Sequence, residues 1–345
     1  MTVSEHVPLT NYSTMRLGGS AAYVCEVTTR MEILEALTWA QQRKLPVIMI
    51  GSGSNIIWRD EGFGGLLIVN KILRFELFKE DDTNSYLTIG AGEPWDSVVE
   101  RSVQAGLSGI EALSLIPGTT GATPIQNVGA YGQDISQTLV TVEAFDTRIG
   151  DFVTLPASDC GFGYRTSRFN SADRGRFYIS GISLHLSALN PTPPFYPVVT
   201  EYLLHHGINT PTAATIRQAV VAIRSAKLPD SSVVNNTGSF FANPVIDADQ
   251  LAQLVADYGT VPNWLNDDGS AKLAAAWLIE QAGFKDFHDA ETGMGTWPAQ
   301  PLVIVNEHAA STTDLLAFKQ KIVAAVQAKF SITLEQEPEL LPLAV

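Results

Sequence analysis

The sequence predicts a multidomain α+β protein, and three observations carry that reading. At 345 residues the chain exceeds a comfortable single core, so two or three domains are expected. Up to residue 227, short apolar strands are interspersed with amphipathic helices. Beyond residue 227 the texture changes to helices around a few strands, which sets a boundary there. No fixed-period repeat and no low-complexity tract interrupts this pattern.

The first 75 residues read β-α-β-loop-β. TRMEILEALTWAQQRK (29–44) predicts a helix, with Thr29 and Glu32 at capping-box spacing and Ile33, Leu34 and Leu37 on one face. LPVIMIGSGSN (45–55) is a short apolar strand running into a Gly/Ser turn, and GGLLIVN (64–70) is a further strand. A second unit begins with the strand YLTIGAG (86–92). The helix EPWDSVVERSVQAG (93–106) follows, with Trp95, Val98, Val99 and Val103 on one stripe and Gly106 as C-cap. IPGTTGATPIQNVGAYG (116–132) has no helical or strand period, and a turn-rich segment this long inside a compact domain is usually functional. Strands resume at TLVTVEAFDT (138–147) and RFYISGISLHL (176–186), and TAATIRQAVVAIRSAK (212–227) is helical. In the last part, DADQLAQLVADYG (247–259) and SAKLAAAWLIEQAG (270–283) read as helices, each with an N-cap candidate and a C-terminal glycine. PLVIVN (301–306) is a buried-type strand, STTDLLAFKQKIVAAVQAKF (311–330) a long amphipathic helix, and SITLEQE (331–337) a closing strand.

A net charge of −14, with only 22 Lys and Arg, argues against a nucleic-acid or anionic-membrane surface. Cations that serve a phosphorylated ligand must therefore be concentrated locally. Cys25 and Cys160 form neither a disulfide framework nor a CxxC site. The six histidines show no HxxxH or HExxH spacing, so no metal site is expected. MTVSEHVPLTNYS lacks a signal-peptide pattern, and no apolar run approaches the ~18 residues needed to span a bilayer. A cytoplasmic monomer is expected.

GSGSN (51–55) follows a strand, so its amides suit a phosphate, although no GK[ST] follows and a plain loop fits equally. In 116–132 the glycines let backbone approach a ligand, while Thr119, Thr120, Thr123, Gln126 and Asn127 offer hydroxyls and amides. In GFGYRTSRF (161–169), Arg165 has the planar fork that suits a carboxylate. LEQEPEL (334–340) holds three carboxylates, a run that by itself reads as a solvated tail. GSFFANP (238–244) raises a separate question. A strand entering a core explains its phenylalanines but not the hydroxyl of Ser239 before them.

Taken in order, NYSTMRLGG (11–19), GSGSN, IPGTTGATPIQNVGAYG, GFGYRTSRF, KLPD (227–230), GSFFANP and LEQEP (334–338) closely resemble the UDP-N-acetylenolpyruvoylglucosamine reductases, the MurB family of peptidoglycan precursor synthesis. The resemblance covers nearly the whole chain and is to the subtype with a substrate-binding tyrosine loop. It implies a two-lobed FAD-binding region of the MurB/vanillyl-alcohol-oxidase-like type, with lobes at 1–75 and 76–226, and a C-terminal α+β substrate-binding domain at 227–345. It implies noncovalent FAD, reduced by NADPH, that then passes hydride to UDP-N-acetylglucosamine enolpyruvate to give UDP-N-acetylmuramate. The alternative is another FAD-dependent oxidase with related lobes, which would not need the GSFFANP and KLPD blocks.

Carried over by position, the resemblance implies cofactor contacts at Gly51, Ser52, Gly53, Ser54, Asn55, Pro117, Gly118, Thr119, Thr120, Thr123, Gln126, Asn127, Gly129, Tyr131 and Arg224. It implies Ser239 as proton donor, with Arg165 and a tail glutamate flanking the intermediate, and the two phenylalanines as a wall against water. Aligning Phe330 and Leu334 without a gap selects Glu337; reading PE before an aliphatic residue selects Glu339. Glu337 is preferred, and Glu339 stands where the family often has arginine. Substrate contacts are implied at Tyr164, Lys227, Asn243 and Tyr196, with Tyr202 as the fallback for Tyr196.

Overall fold

The computed structural model describes residues 1–343 and divides into two compact units. The first comprises Met1–Val7, Ala21–Ser52 and Gly64–Ala226. The second comprises Pro8–Ser20, Gly53–Phe63 and the chain from Lys227 onward. The contiguous lobe expected over 1–75 is thus interrupted twice by segments that pack with the C-terminal residues.

The first unit contains two sheets. One runs in the order Val3–Pro8, Ser20–Val27, Phe63–Asn70, Val47–Ile50, the last pair parallel. Phe63–Asn70 is buried at every position but Gly64, the continuous apolar run of a strand covered on both faces. Helix α1 (Arg30–Gln42) lays Ile33, Ala36 and Ala40 against Cys25, Val27, Leu66 and Ile68. Thr29 caps it by accepting the Glu32 N–H, but Glu32 reaches back to the Thr28 N–H at 2.7 Å, so the box closes one residue early.

The other sheet is antiparallel throughout, in the order Asp151–Pro156, Leu139–Asp146, Phe177–Ser187, Asn84–Gly90, Phe75–Lys79. Its two edge strands were not anticipated, because half-exposed edges carry little apolar signal. Helix α2 (Trp95–Gln104) buries Trp95, Val98 and Val99 against this sheet, and its C-cap is Ala105, with Gly106 one place later at φ 78°. Helices α3 (Pro197–His205) and α4 (Ala213–Lys227) pack Val199, Leu203, Ile216, Ala219 and Val220 around Ala112.

The second unit holds the antiparallel sheet Asn235–Ser239, Gln300–Asn306, Met294–Trp297, His288–Asp289 and the small sheet Val245–Ile246, Ala271–Leu273, Asn263–Leu265. Helices α5 (Ala248–Tyr258), α6 (Ala275–Gln281) and α7 (Thr312–Phe330) accompany them. Two expectations are corrected here. The helix expected over 270–283 starts only at Ala275, because Ala271–Leu273 pairs as a strand with buried Ala271 and Leu273 on either side of Lys272. Ser270 caps nothing and bonds Asp268 instead. The closing strand expected over 331–337 is reduced to a single bridge, Phe241 to Gln336, and the regular pairing is Glu339–Leu341 parallel to Ile56–Trp58. Pro338, which has no N–H to donate, separates the two pairings.

The inserted N-terminal segments are bound tightly into this unit. Asn306 Nδ2 donates to the Met15 carbonyl at 3.1 Å, and Thr312 Oγ1 to the Trp58 carbonyl at 2.6 Å. Asp60 accepts the N–H groups of Thr312 and Thr313 and the Thr313 hydroxyl, satisfying donors that the first turn of α7 leaves free. Burial pushes the Asp60 carboxyl up, but these hydrogen bonds outweigh it and hold its pKa below the ordinary aspartate value. Asp60→Ala should therefore cost about 1 kcal/mol of stability, as a lost helix cap does, measured by urea unfolding. Because the folded pKa is depressed, the difference from wild type should be full above the unfolded aspartate pKa and should fade as pH falls through the folded one.

Candidate active site

The loop 116–132 is fixed at both ends by charged side chains. Leu115, at φ 55°, donates its N–H to Asp96 Oδ1 at 2.6 Å and accepts Arg224 Nη2 on its carbonyl at 3.2 Å. Asp96 also receives both Nη groups of Arg217, at 2.6 and 3.1 Å. Burial raises the Asp96 carboxyl, but Arg217, the Leu115 N–H and Arg224 together bring its pKa below the usual value. Arg224 also interacts with Tyr131 at the far end of the loop. Burial lowers the pKa of Arg224 and raises that of Tyr131, each opposed by the other.

Within the loop, several side chains expected to face a ligand serve the loop itself. Thr120 donates to the Glu93 carbonyl, Thr123 to the Thr120 carbonyl, and Asn127 Nδ2 to the Gly163 carbonyl. Gly118 receives the Trp95 N–H, which docks the loop on the start of α2. Thr119 packs against Gly51, where a Cβ would come within 2.0 Å of Thr119 Oγ1. Pro117 is exposed and Gln126 half-buried. The 51–55 loop crosses the division between units, with Gly51 and Ser52 in the first and Gly53, Ser54 and Asn55 in the second.

Two observations show that the first unit suits a bound anionic cofactor. Arg224 Nε is sealed from solvent with no hydrogen-bond partner, a donor on a buried cation that an anionic or carbonyl oxygen would satisfy. Gly51 and Thr119 meet so closely that the Thr119 side chain packs directly on the Gly51 backbone, where a side chain at 51 would have no room. The groups that line these loops are amides and hydroxyls, with Arg224 the cation behind them. FAD fits that donor set.

Tyr164 and Arg165 form the tip of a tight turn closed by the Gly163 and Thr166 backbones. Arg165 takes φ 54° at the second central position, where glycine or asparagine is usual. With Leu115, Asn127 and Tyr131, it is one of four non-glycine residues in the left-handed region here, each at a cost of about 1 kcal/mol or more. Arg165 Nη2 donates to the Gly129 carbonyl at 2.8 Å. A pocket of about 340 Å³ opens beside it, lined among others by Asn127, Asp134, Ser136, Phe162 and the half-exposed Tyr164. Tyr196 meets Tyr131 edge-on at 5.7 Å, whereas Tyr202 stacks on His206 at 4.0 Å. Lys227, at the end of α4, is exposed.

In the second unit, Ser239 follows a bulge. Asn236 pairs with Val305 and Ser239 with Val303, so one extra residue is accommodated between them. Gly238 supplies it at φ 72°, its N–H held by Asn236 Oδ1 at 2.8 Å. Ser239 is exposed as a result. Phe240 and Phe241 are fully buried in the core with Met15, Leu17 and Leu278, edge to face at 5.2 Å. They anchor the strand and do not wall Ser239 from water, which corrects that expectation. The C-terminal segment returns antiparallel beside them, the Glu337 N–H donating to the Phe240 carbonyl at 3.0 Å. Glu339 instead donates to the Asn55 carbonyl and joins the strand beside Ile56–Trp58. Asn243 Oδ1 accepts the Ala275 N–H at 3.0 Å, so it caps α6.

Sequence reasoning missed Asp96, Glu111, Gln133 and Arg217, which shape the loop from outside it. The one available signal was Glu111 inside the apolar GIEAL (109–113), a carboxylate where a core residue belongs.

Residues 21–155 match the FAD binding domain family, and residues 229–341 match the C-terminal domain of UDP-N-acetylenolpyruvoylglucosamine reductase. Fold and site therefore define an FAD-containing oxidoreductase with a separate C-terminal domain. The chain is 38% identical to the UDP-N-acetylenolpyruvoylglucosamine reductase of Ralstonia nicotianae, over 97% of this chain and 98% of that protein. It is also 38% identical to the reductase of the same name from Thermobifida fusca, over 99% of each. The crystal structure of the MurB reductase from Thermus caldophilus shares the fold, with a TM-score of 0.68 at 24% identity over 99% of this chain and 100% of that one. The chain belongs to the UDP-N-acetylenolpyruvoylglucosamine reductase family.

Gly51→Ala would drive a methyl into Thr119 and part the two loops. The expected result is flavin affinity weaker by about tenfold or more, from overpacking on the order of 1–3 kcal/mol. Fluorescence titration of FAD-free protein checks it, and unchanged affinity would remove the paired loops from the cofactor site.

Proposed function

We propose that this chain reduces UDP-N-acetylglucosamine enolpyruvate to UDP-N-acetylmuramate, with Ser239 as proton donor and Arg165 and Glu337 flanking the reacting group. Bound FAD would supply the hydride transfer from NADPH to the terminal carbon of the enolpyruvyl double bond. The observation that carries the residue assignment is the return of the C-terminal segment to Phe240, which brings Glu337 beside the Ser239 strand and leaves Glu339 on another.

Hydride addition leaves an enolate-like carbanion next to a carboxylate, and one proton must reach the adjacent carbon. A serine hydroxyl is a weak acid, but this intermediate is basic enough to take its proton when the hydroxyl is positioned. The Gly238 bulge turns Ser239 out of the core to make that possible. Ser239 is exposed, so a bound substrate can reach its hydroxyl. Arg165 can donate two parallel hydrogen bonds to the carboxylate, whose charge grows in the transition state. Tyr164, Tyr196, Lys227 and Asn243 are assigned to the nucleotide sugar, Asn243 also capping α6. The loops at 51–55 and 116–131 and Arg224 are assigned to FAD, with flavin lobes over 1–75 and 76–226, apart from 8–20 and 53–63, which pack with the substrate domain from 227 onward. The product feeds peptidoglycan, and so cell-wall growth, cell shape and division. We assign the chain as a monomer that works in the cytoplasm; among the described residues no helix is long and apolar enough to cross a membrane.

Ser239→Ala should leave flavin reduction by NADPH nearly intact and slow reoxidation by the enolpyruvyl substrate by about 10²–10⁴, with Ser239→Cys retaining more activity. Stopped-flow measurement of the two half-reactions decides it; an alanine variant unimpaired in both would leave Ser239 as a turn residue only.

Glu337→Gln should slow reoxidation far more than Glu339→Gln. Equal and mild effects in the same assay would return both to a solvated acidic tail.

A further inference from the structure

Glu111 is 1% exposed, and among the described residues its carboxylate is held by neutral donors. One oxygen accepts the Gly109 N–H at 2.5 Å, and the other accepts Gln133 Nε2 at 3.0 Å. Gln133 Oε1 in turn accepts the Ala112 N–H at 2.8 Å, which fixes the direction of the amide. A buried carboxylate held in this way is costly compared with an apolar residue of the same size, so a packing role does not account for it.

What Gln133 belongs to gives the reason. It pairs with Ala130 in the small hairpin Gly129–Ala130 and Gln133–Asp134, where Gly129 faces Asp134. The Gly129 carbonyl is the acceptor for Arg165 Nη2 at 2.8 Å. A Cβ on Gly129 would lie 2.9 Å from Asp134 Cβ, 3.0 Å from the Gln133 carbonyl and 3.4 Å from Arg165 Nη1. The hairpin and the guanidinium are therefore packed as one piece, and its outer strand is tied to Glu111 by a side chain. We propose that Glu111 is a positioning residue for Arg165, setting the direction of the guanidinium through Gln133 and the 129–134 hairpin. This rests on the assignment of Arg165 to the enolpyruvyl carboxylate.

The donor and acceptor pattern supplies the test. In Glu111→Gln, the new NH₂ must face the Gly109 N–H or the Gln133 NH₂, or else Gln133 flips and turns its own NH₂ to the Ala112 N–H. Donor meets donor in each case. In the exchange Glu111→Gln with Gln133→Glu, the amide now at position 111 accepts from Gly109 and donates to the carboxylate at position 133. That carboxylate also accepts the Ala112 N–H, so every group is satisfied again. Stopped-flow measurement on the FAD-loaded enzyme should show Glu111→Gln slowing reoxidation by the enolpyruvyl substrate by about tenfold, with flavin reduction by NADPH within about twofold of wild type. The exchange should recover most of the loss. In an Arg165→Lys background, Glu111→Gln should add little, because the geometry it sets is already gone.

A second readout does not use turnover. The Arg165 side-chain ¹H–¹⁵N signal, assigned by its loss in Arg165→Lys, should shift or broaden in Glu111→Gln and return in the exchange. If Glu111→Gln fails to fold, Gln133→Ala, which leaves Glu111 in place, should show the same split between half-reactions. The proposal is overturned if both half-reactions slow equally, if neither does, if the losses multiply with Arg165→Lys, or if the Arg165 signal stays unchanged. A wild-type enzyme that the enolpyruvyl substrate cannot reoxidise would sink the functional reading instead, and the resonance experiment would still decide the positioning.

Discussion

The peptide group of Leu115 is gripped from both sides, its N–H by Asp96 and its carbonyl by Arg224, and much of the flavin-binding unit follows from that grip. The residue sits in a backbone region that a leucine does not choose, so the two charged groups hold it where the chain alone would not stay. Asp96 brings Arg217 with it and Arg224 brings Tyr131, so one peptide links α2, α4 and both ends of the long loop. A loop of this length with no ladder of its own must send its polar groups somewhere, and most are spent on itself and on α2. One buried donor left without a hydrogen bond among the described residues, Arg224 Nε, belongs to the same network.

The second unit meets a different constraint. Consecutive phenylalanines in a flat strand would point to opposite faces, yet both Phe240 and Phe241 are buried. The segment from residue 335 to 337 pairs along their edge, with Ala242 donating to the Glu335 carbonyl and Glu337 to that of Phe240, while both rings join the core of Met15, Leu17 and Leu278. The bulge at Gly238 then frees the next residue from that packing, and the hydroxyl is left facing out. Anchoring and presentation are thus separate tasks of neighbouring residues.

The helices with clean stripes and local caps, α1, α5 and α7, were legible in the sequence because their determinants lie within one or two turns. Ser311 and Asp314 form a reciprocal box, and Asp247 accepts the Gln250 N–H, as the N-cap candidate at the start of 247–259 led one to expect. Helix α6 was misjudged at its start because its cap, Asn243, lies 32 residues upstream. The closing strand was misjudged because its partner, Ile56–Trp58, is remote and too short to announce itself. For the site, the motif residues were legible as motifs, but the work of Thr120, Thr123 and Asn127 inside the loop was not. A hydroxyl in a turn-rich segment looks the same whether it faces a ligand or a neighbouring carbonyl.

The interruption of the first unit by residues 8–20 and 53–63 bears on how the protein is made. Arg59 donates to the Pro342 carbonyl across 283 residues, and Asn306 reaches Met15 across 291. During synthesis these N-terminal segments emerge early, and their partners leave the ribosome last. Met15, Leu17 and Ile57, which end up fully buried, stay uncovered until then. Contacts of such long range are slow to close, and waiting apolar segments are what chaperones bind. The C-terminal portion cut out by itself would lack part of its own core, so neither end of the chain is self-sufficient until both have been translated.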